Sequence, residues 1–247
     1  MLVCIILKIF NKWWGTNIFY FKDREDRIVF EYHETLPTER YLSIKGKSII
    51  NLEAWALYGL YRDAVYNSYK QKADLAQDIR ERDGEICPND PLYDYAICSC
   101  ANAISAWKDS ANNIKCYIAY NTVDDKKEKV GFVHFNENVI DDRLVIYIAQ
   151  AGVRIMGQGI GRRLMQCVLS HYPAGREFYI LTRVFNTEAR ILYQNRLHFE
   201  PIGINEIKQL HYDERYWGGK HTTTKTEIDV IVNNKVELAN AVPILDM

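Results

Sequence analysis

No run of about twenty apolar residues, the length a helical membrane span requires, occurs anywhere in the 247-residue chain. No membrane partner is therefore expected. Neither sign of charge is in excess either, with 31 Lys and Arg against 32 Asp and Glu and a formal net charge of -1. Such a balance provides no global field for a phosphate backbone, which argues against nucleic acid as a partner. The six cysteines form no CxxC pair, and Cys98 and Cys100 stand too close for a zinc knuckle, so no metal is expected. The chain is also too long to need disulfide staples. Its thiols read as reduced and mostly buried, as in a cytoplasmic protein. The opening MLVCIILKIF is apolar only briefly before Lys8 and Lys12. It lacks the basic leader and small-residue cleavage site of a secretory segment, and is expected to be a buried first strand.

What is present suits an ordinary globule: hydrophobic residues make up 48% and charged residues 26%. Residues 1–50, rich in aromatics and alternating as Arg27-Ile28-Val29-Phe30-Glu31-Tyr32, form a strand-rich N-terminal extension able to pack on the core. Residues 51–247 form the main domain. There the period lengthens: Leu52, Trp55, Ala56, Tyr66 and Tyr69 fit an amphipathic helix capped by Asn51. A second helix over 92–107 follows the Asp90-Pro91 start signal. Strands are expected over 114–120, 130–135 and 144–151, with a charged turn between the first two and another turn over 136–142. A helix over 160–171, a strand over 177–182, a helix from Asn186 through Arg196 and a last strand over 226–232 complete the order. That order predicts an α/β (α+β) fold built on a mixed sheet with helices on its faces.

The most informative stretch is MGQGIGRRLM, residues 156–165. A strand that ends in glycines and enters a helix presents unpaired N–H groups at the positive end of the helix dipole, a ready anion site. Glycines remove the Cβ atoms that would hold a diphosphate away. A tight turn with close strand–helix packing explains the same residues equally well. Two other phosphate loops are excluded. Gly161 is followed by Arg162-Arg163 and not by the Lys-Ser/Thr of a P-loop, and the GxGxG spacing is not that of a dinucleotide-binding turn.

A second stretch, VFNTEARILYQNRLHFEPIG (residues 184–203), lies downstream with Asn186, Ala189, Leu192-Tyr193 and Phe199. Together the two stretches resemble the GNAT family of N-acetyltransferases. The resemblance covers roughly 51–232 and is most specific over 144–203. It implies a central mixed, mostly antiparallel sheet with a splayed central strand. It also implies an acetyl-CoA-dependent N-acetyltransferase that transfers the acetyl group directly to a primary amine of a small molecule or peptide. Acetyl-CoA would be a substrate, and no metal would take part. The family's Q/R-x-x-G-x-G/A signature falls on residues 156–161, where Met156 departs from it. By the resemblance, Ala149, Gln150 and Ala151 would offer main-chain hydrogen bonds to the pantetheine arm. Met156, Gly157, Gln158, Gly159, Ile160, Gly161 and Arg162 would wrap the pyrophosphate, Asn186 would contact the CoA arm, and Tyr193 would protonate the leaving thiolate. His198 replaces the glycine of the family's Leu-Gly-Phe, and Val145 stands where some members place a glutamate base. Base candidates are then Glu137, His134, Asp213 and Glu214, beside a water-mediated route. These departures also motivate a non-catalytic CoA-binding or interaction module on the same scaffold. The segment around 210–224, with Tyr212, Tyr216 and Trp217, is expected as an acceptor-side loop. Acceptor identity and oligomeric state are not encoded in any motif.

Overall fold

The computed structural model describes residues 18–21, 28–34, 41–44, 48–51, 60, 113–123, 126–154 and 156–237. In chain order these contain β1 (Ile18–Phe21), β2 (Ile28–His33), β3 (Tyr41–Ile44), β4 (Ser48–Asn51), β5 (Lys115–Val123), β6 (Lys126–Ile140) and β7 (Arg143–Val153). There follow α1 (Ile160–Leu169), β8 (Glu177–Arg183), and α2 (Thr187–Ile191), which runs into a π-helical turn (Leu192–Arg196). Last come β9 (Glu200–Pro201), α3 (Ile204–Gln209), β10 (Tyr216–Thr222), α4 (Lys225–Asn234) and β11 (Lys235–Glu237). The expected helices over 52–69 and 92–107, the opening apolar segment, and Cys4, Cys87, Cys98 and Cys100 lie outside the described residues.

Nine of the described strands form one sheet in the order β11-β1-β2-β5-β6-β7-β8-β10-β9. Its pairs are antiparallel except β7 with β8. The mixed, mostly antiparallel sheet expected from the sequence is what forms. The parallel pair follows from connection length: α1 carries the chain back across the sheet, as parallel neighbours require. Strands β1 and β2, from within residues 1–50, join the sheet through β5, with Phe30 opposite Ala119.

One face of the sheet carries Phe30, Tyr117, Val133, Phe135, Ile146, Ile148, Phe178 and Ile180 under α1. The helix covers it because Ile160, Leu164, Cys167 and Val168 recur at three- and four-residue spacing and are all buried. Each such side chain contributes about 1.5–3 kcal/mol of burial. The opposite face holds Ile118 and Phe132 beneath the helical residue Leu60. Further along that face, Val145 and Tyr179 pack with Leu210 at the end of α3.

Three expectations are corrected. Residues 226–232 do not form the last strand: they lie in α4. Their alternating Ile228, Val230 and Val232 imitate a strand, yet Val230 and Val232 are exposed and Ile231 is the buried residue. The Thr224 hydroxyl accepts from Glu227 N–H at 3.2 Å and caps the helix. The strand that completes this side of the sheet is β10, inside the segment expected to be an acceptor loop. Finally, β6 does not turn at Asn136 but continues to Ile140. The turn is confined to Asp141 and Asp142, with φ of 49° and 60°, the left-handed pair a two-residue hairpin demands.

Two histidines make the fold acid-sensitive. Burial lowers His134 to about 3. Burial, followed by the nearby Lys115 charge, lowers His171 to about 4, where its Nδ1 lies 2.9 Å from the Tyr117 hydroxyl. Both bind a proton more readily in the unfolded chain, so their contribution is intact above the ordinary histidine value and is lost as pH falls toward 4. Unfolding free energies from urea melts between about pH 7.5 and 5 should drop by up to ~1.4 kcal/mol per pH unit per titrating ring. His134→Gln should flatten the slope; an unchanged slope in that variant would contradict the assignment.

Candidate active site

The parallel ladder of β7 and β8 has only three rungs, Ile146↔Phe178, Tyr147↔Tyr179 and Ile148↔Ile180. Beyond Ile148, β7 stays with β6 while β8 stays with β10, so the two strands part. A bulge marks the point of departure: Phe135 faces Ile148 and His134 faces Gln150, leaving Ala149 as the extra residue. The bulge bends the strand and shifts its alternation by one. As a result Ala151 and Val153 keep the α1 face, while Gln150 turns to the opposite one beside His134. Among the described residues, 149–153 therefore have a strand partner on one edge only, and the main chain of Ala149, Gln150 and Ala151 borders the gap.

At the end of β7 the chain enters the glycine loop. Gly157 and Gly159 have φ of 84° and 75°, and a Cβ built on either meets nothing within 4 Å. The left-handed backbone, not crowding, is what requires glycine here. Gly159 caps α1, Ile160 is buried as its first residue, and no acidic side chain lies in the first turn to offset the helix dipole. Met156, Gly157, Gln158 and Gly159 are all exposed, as is Arg162. Arg163 is not: its guanidinium lies 5.8 Å from the centre of the Phe30 ring and donates to the Gln158 carbonyl at 3.1 Å. It staples the loop from beneath, a role no sequence signal marked. Among the described residues no side chain caps this end, so the helix presents its first N–H groups at an exposed, electropositive terminus.

Tyr193 is buried in the π-helical turn that continues α2, next to Leu192. The two sides meet at Gly161, where a Cβ would lie 3.7 Å from Val153 Cγ1 at the end of β7 and 3.9 Å from Leu192 Cδ2. The Tyr193 ring stacks on Trp217 at 6.2 Å and 17°. Trp217 in turn pairs with Thr182, two residues past the last β7–β8 rung. Burial raises the Tyr193 phenol to about 12, which keeps it protonated. Asn186 ends the β8–α2 turn and donates from Nδ2 to Thr182 Oγ1 at 3.0 Å, fixing its amide at the parted end of β8. The structure thus brings Gly161 of the loop close to Val153 on β7 and to Leu192 beside Tyr193, and sets Asn186 at the parted end of β8. Trp217 proves to be packing behind Tyr193 rather than loop.

The base candidates are scattered. Glu137 pairs with Ile146, below the gap, and its carboxylate lies 3.4 Å from Lys115 Nζ. Asp213 is gripped by Arg215 through Nε at 2.9 Å and Nη2 at 2.8 Å. Glu214 is exposed. His134 does face Gln150, but a ring at about 3 is far too weak a base for an ammonium near 10. Among the described residues no group of three or more His, Cys, Asp or Glu could hold a metal ion. Also among them, no helix is long and apolar enough to cross a membrane.

Gly159→Ala should cost about 1–2 kcal/mol through φ strain alone, since no neighbour would clash. A urea-melt loss well above that would show crowding at the loop.

No protein-family model matches the chain, and no curated protein matches it. Among solved structures, it is similar to a GNAT-family acetyltransferase from Streptococcus agalactiae at 12% identity and a TM-score of 0.45, covering 84% of this chain and 99% of that one. A GNAT-family acetyltransferase from Bacillus cereus aligns at 21% identity and a TM-score of 0.33, covering 62% and 92%. The AtaTR structure bound with AcCoA aligns at 13% identity and a TM-score of 0.39, covering 59% and 86%.

Proposed function

We propose that the chain is an acetyl-CoA-dependent N-acetyltransferase acting on a primary amine by direct attack in a ternary complex. The observation that carries this reading is the coincidence of three features at one opening. They are a strand that leaves its parallel neighbour after Ile148, a bare glycine loop at an uncompensated helix N-terminus, and a buried, protonated phenol on the far side. The loop's amides suit a diphosphate. The unpaired edge of residues 149–151 suits an extended amide-bearing arm, which would add to it as a strand would. A thioester at the end of such an arm lies near Tyr193.

The reaction is then balanced as follows. The neutral amine nitrogen bonds to the thioester carbonyl carbon, the C–S bond breaks, and the sulfur leaves as a thiolate while the nitrogen releases a proton to solvent. Tyr193 faces that sulfur. A thiol titrates near 8.5, so the phenol at about 12 acts chiefly as a hydrogen-bond donor to the departing charge, with full proton transfer costing about 5 kcal/mol. Arg163 and Asn186 position the loop and the arm. No described side chain is assigned as base; the acceptor reacts as its free amine through water. The acceptor is a small molecule or a peptide, and the buried free thiols Cys116 and Cys167 suit a reducing, cytoplasmic setting.

Two measurements separate this enzyme from a non-catalytic CoA-binding module: acetyl-CoA binding by calorimetry, and CoA release over a broad amine panel. Tyr193→Phe should lower turnover by about 100-fold with acetyl-CoA affinity unchanged. Binding without turnover on any amine would establish the module instead.

A further inference from the structure

Strand β10 meets the tyrosine-bearing element at three points. Trp217, Gly219 and His221 alternate along it and so share the α1 face. Trp217 stacks on Tyr193. At Gly219 a Cβ would lie 3.1 Å from Phe199 Cβ and 2.5 Å from Trp217 Cη2, so only glycine lets Phe199 and Trp217 close over the strand. His221 makes the third contact. Its Nδ1 lies 3.2 Å from the carbonyl oxygen of His198, and its Nε2 lies 2.8 and 3.0 Å from the two carboxylate oxygens of Glu227 on α4.

A carbonyl and a carboxylate are both acceptors, so satisfying the two contacts requires an N–H on each ring nitrogen, that is, an imidazolium. The carbonyl it holds belongs to a strained residue: His198 has φ of 57°, where the left-handed region disfavours a side chain. The next N–H, that of Phe199, donates to the Tyr193 carbonyl at 2.9 Å. Moving the His198 turn therefore moves the residue that closes back on Tyr193.

We infer that His221, protonated between the His198 carbonyl and Glu227, is a positioning residue that locks the turn after Tyr193 and so seats the Tyr193 ring against Trp217. The effect on turnover rests on the acetyltransferase reading; the effect on the ring does not.

The surroundings favour the charged form. Glu227 contacts the ring from α4 and Glu200 on β9 acts on it through its charge, while Phe199, at 5.4 Å, and Phe178, across the β8 register, are apolar. Lys220, next along β10, has Glu206 within 3.4 Å. Burial pulls the His221 ring down, but Glu227, the His198 carbonyl and Glu200 together hold it above the ordinary histidine value. The lock is then complete below that ordinary value and is lost as pH rises through the raised one, opposite in sign to His134 and His171.

The test uses the full chain. His221 is titrated by NMR, assigned by loss of its signal in His221→Gln. The pH dependence of Trp217 emission is taken as the part missing in Trp217→Phe. Acetyl transfer to a responsive amine is followed over the same pH range. The expected result is a ring that titrates above 6.5 together with Trp217 emission, and a kcat that falls at least fivefold across the same step while KM for acetyl-CoA stays within twofold. Glu227→Gln keeps an acceptor but removes the charge, so it should move the NMR, emission and kcat transitions to lower pH together. A ring titrating at or below 6.5, or emission or kcat indifferent to it, overturns the inference. Matching ring and emission transitions in a protein that turns over no amine support the positioning and overturn the acetyltransferase reading instead.

Discussion

Between β7 and β8 the hydrogen-bond ladder lasts for three rungs, and the site exists because it goes no further. The bulge at Ala149 falls at the end of that ladder, where β7 stays paired with β6 and β8 stays paired with β10. A sheet interrupted in this way leaves one strand edge with donors and acceptors in place and, among the described residues, no strand to receive them. Water reaches that edge at the exposed Ala151, and an extended amide-bearing chain matches its geometry. The bulge also assigns the two sides: Val153 remains beneath α1, and Gln150 is handed to the other face.

The same break places a helix terminus at the opening. Because α1 is anchored by Ile160, Leu164, Cys167 and Val168, its first turn cannot retreat when an anion is absent. Arg163 adds a second restraint by reaching back to the Gln158 carbonyl. The loop is thus organised by core packing and one buried guanidinium, so little ordering is left for a ligand to supply. Across the gap, Tyr193 is held by the stack on Trp217 and by the turn at His198. Both walls are therefore preorganised by contacts made away from the opening.

Much of this was legible in the residues. The glycines and the apolar spacing after them announced the loop and α1, and the apolar runs over 114–120 and 177–182 announced β5 and β8. Asn186 and Tyr193 were singled out by the family resemblance of residues 184–203 rather than by any property of either alone. What escaped has physical causes. The α4 residues alternate like a strand, and only the Thr224 cap reveals the helix. The end of β6 looked like a turn because Asn136, Glu137 and Asn138 are polar, although a strand tolerates polar residues on an exposed hairpin. Trp217 and His221 were read as loop because two glycines interrupt β10, yet Gly219 is what admits Phe199. Arg163 carried no signal of its own, because its burial depends on Phe30, which comes from a strand far earlier in the chain.

The outer edge of the sheet carries a consequence of another kind. Strand β2 is reached from one side by β5, but β1 is closed by β11, with Phe21 opposite Lys235. Those partners are separated by roughly 200 residues, a loop whose closure is slow. During synthesis this border must wait, half-built and with open ladder groups, until β11 has emerged from the ribosome. The parted strands and the glycine loop lie between β5 and β10, apart from the Phe30 ring beside Arg163. The chain can therefore assemble its middle strands first and seal its margin last, which makes that margin the place where a nascent chain is most exposed to mispairing.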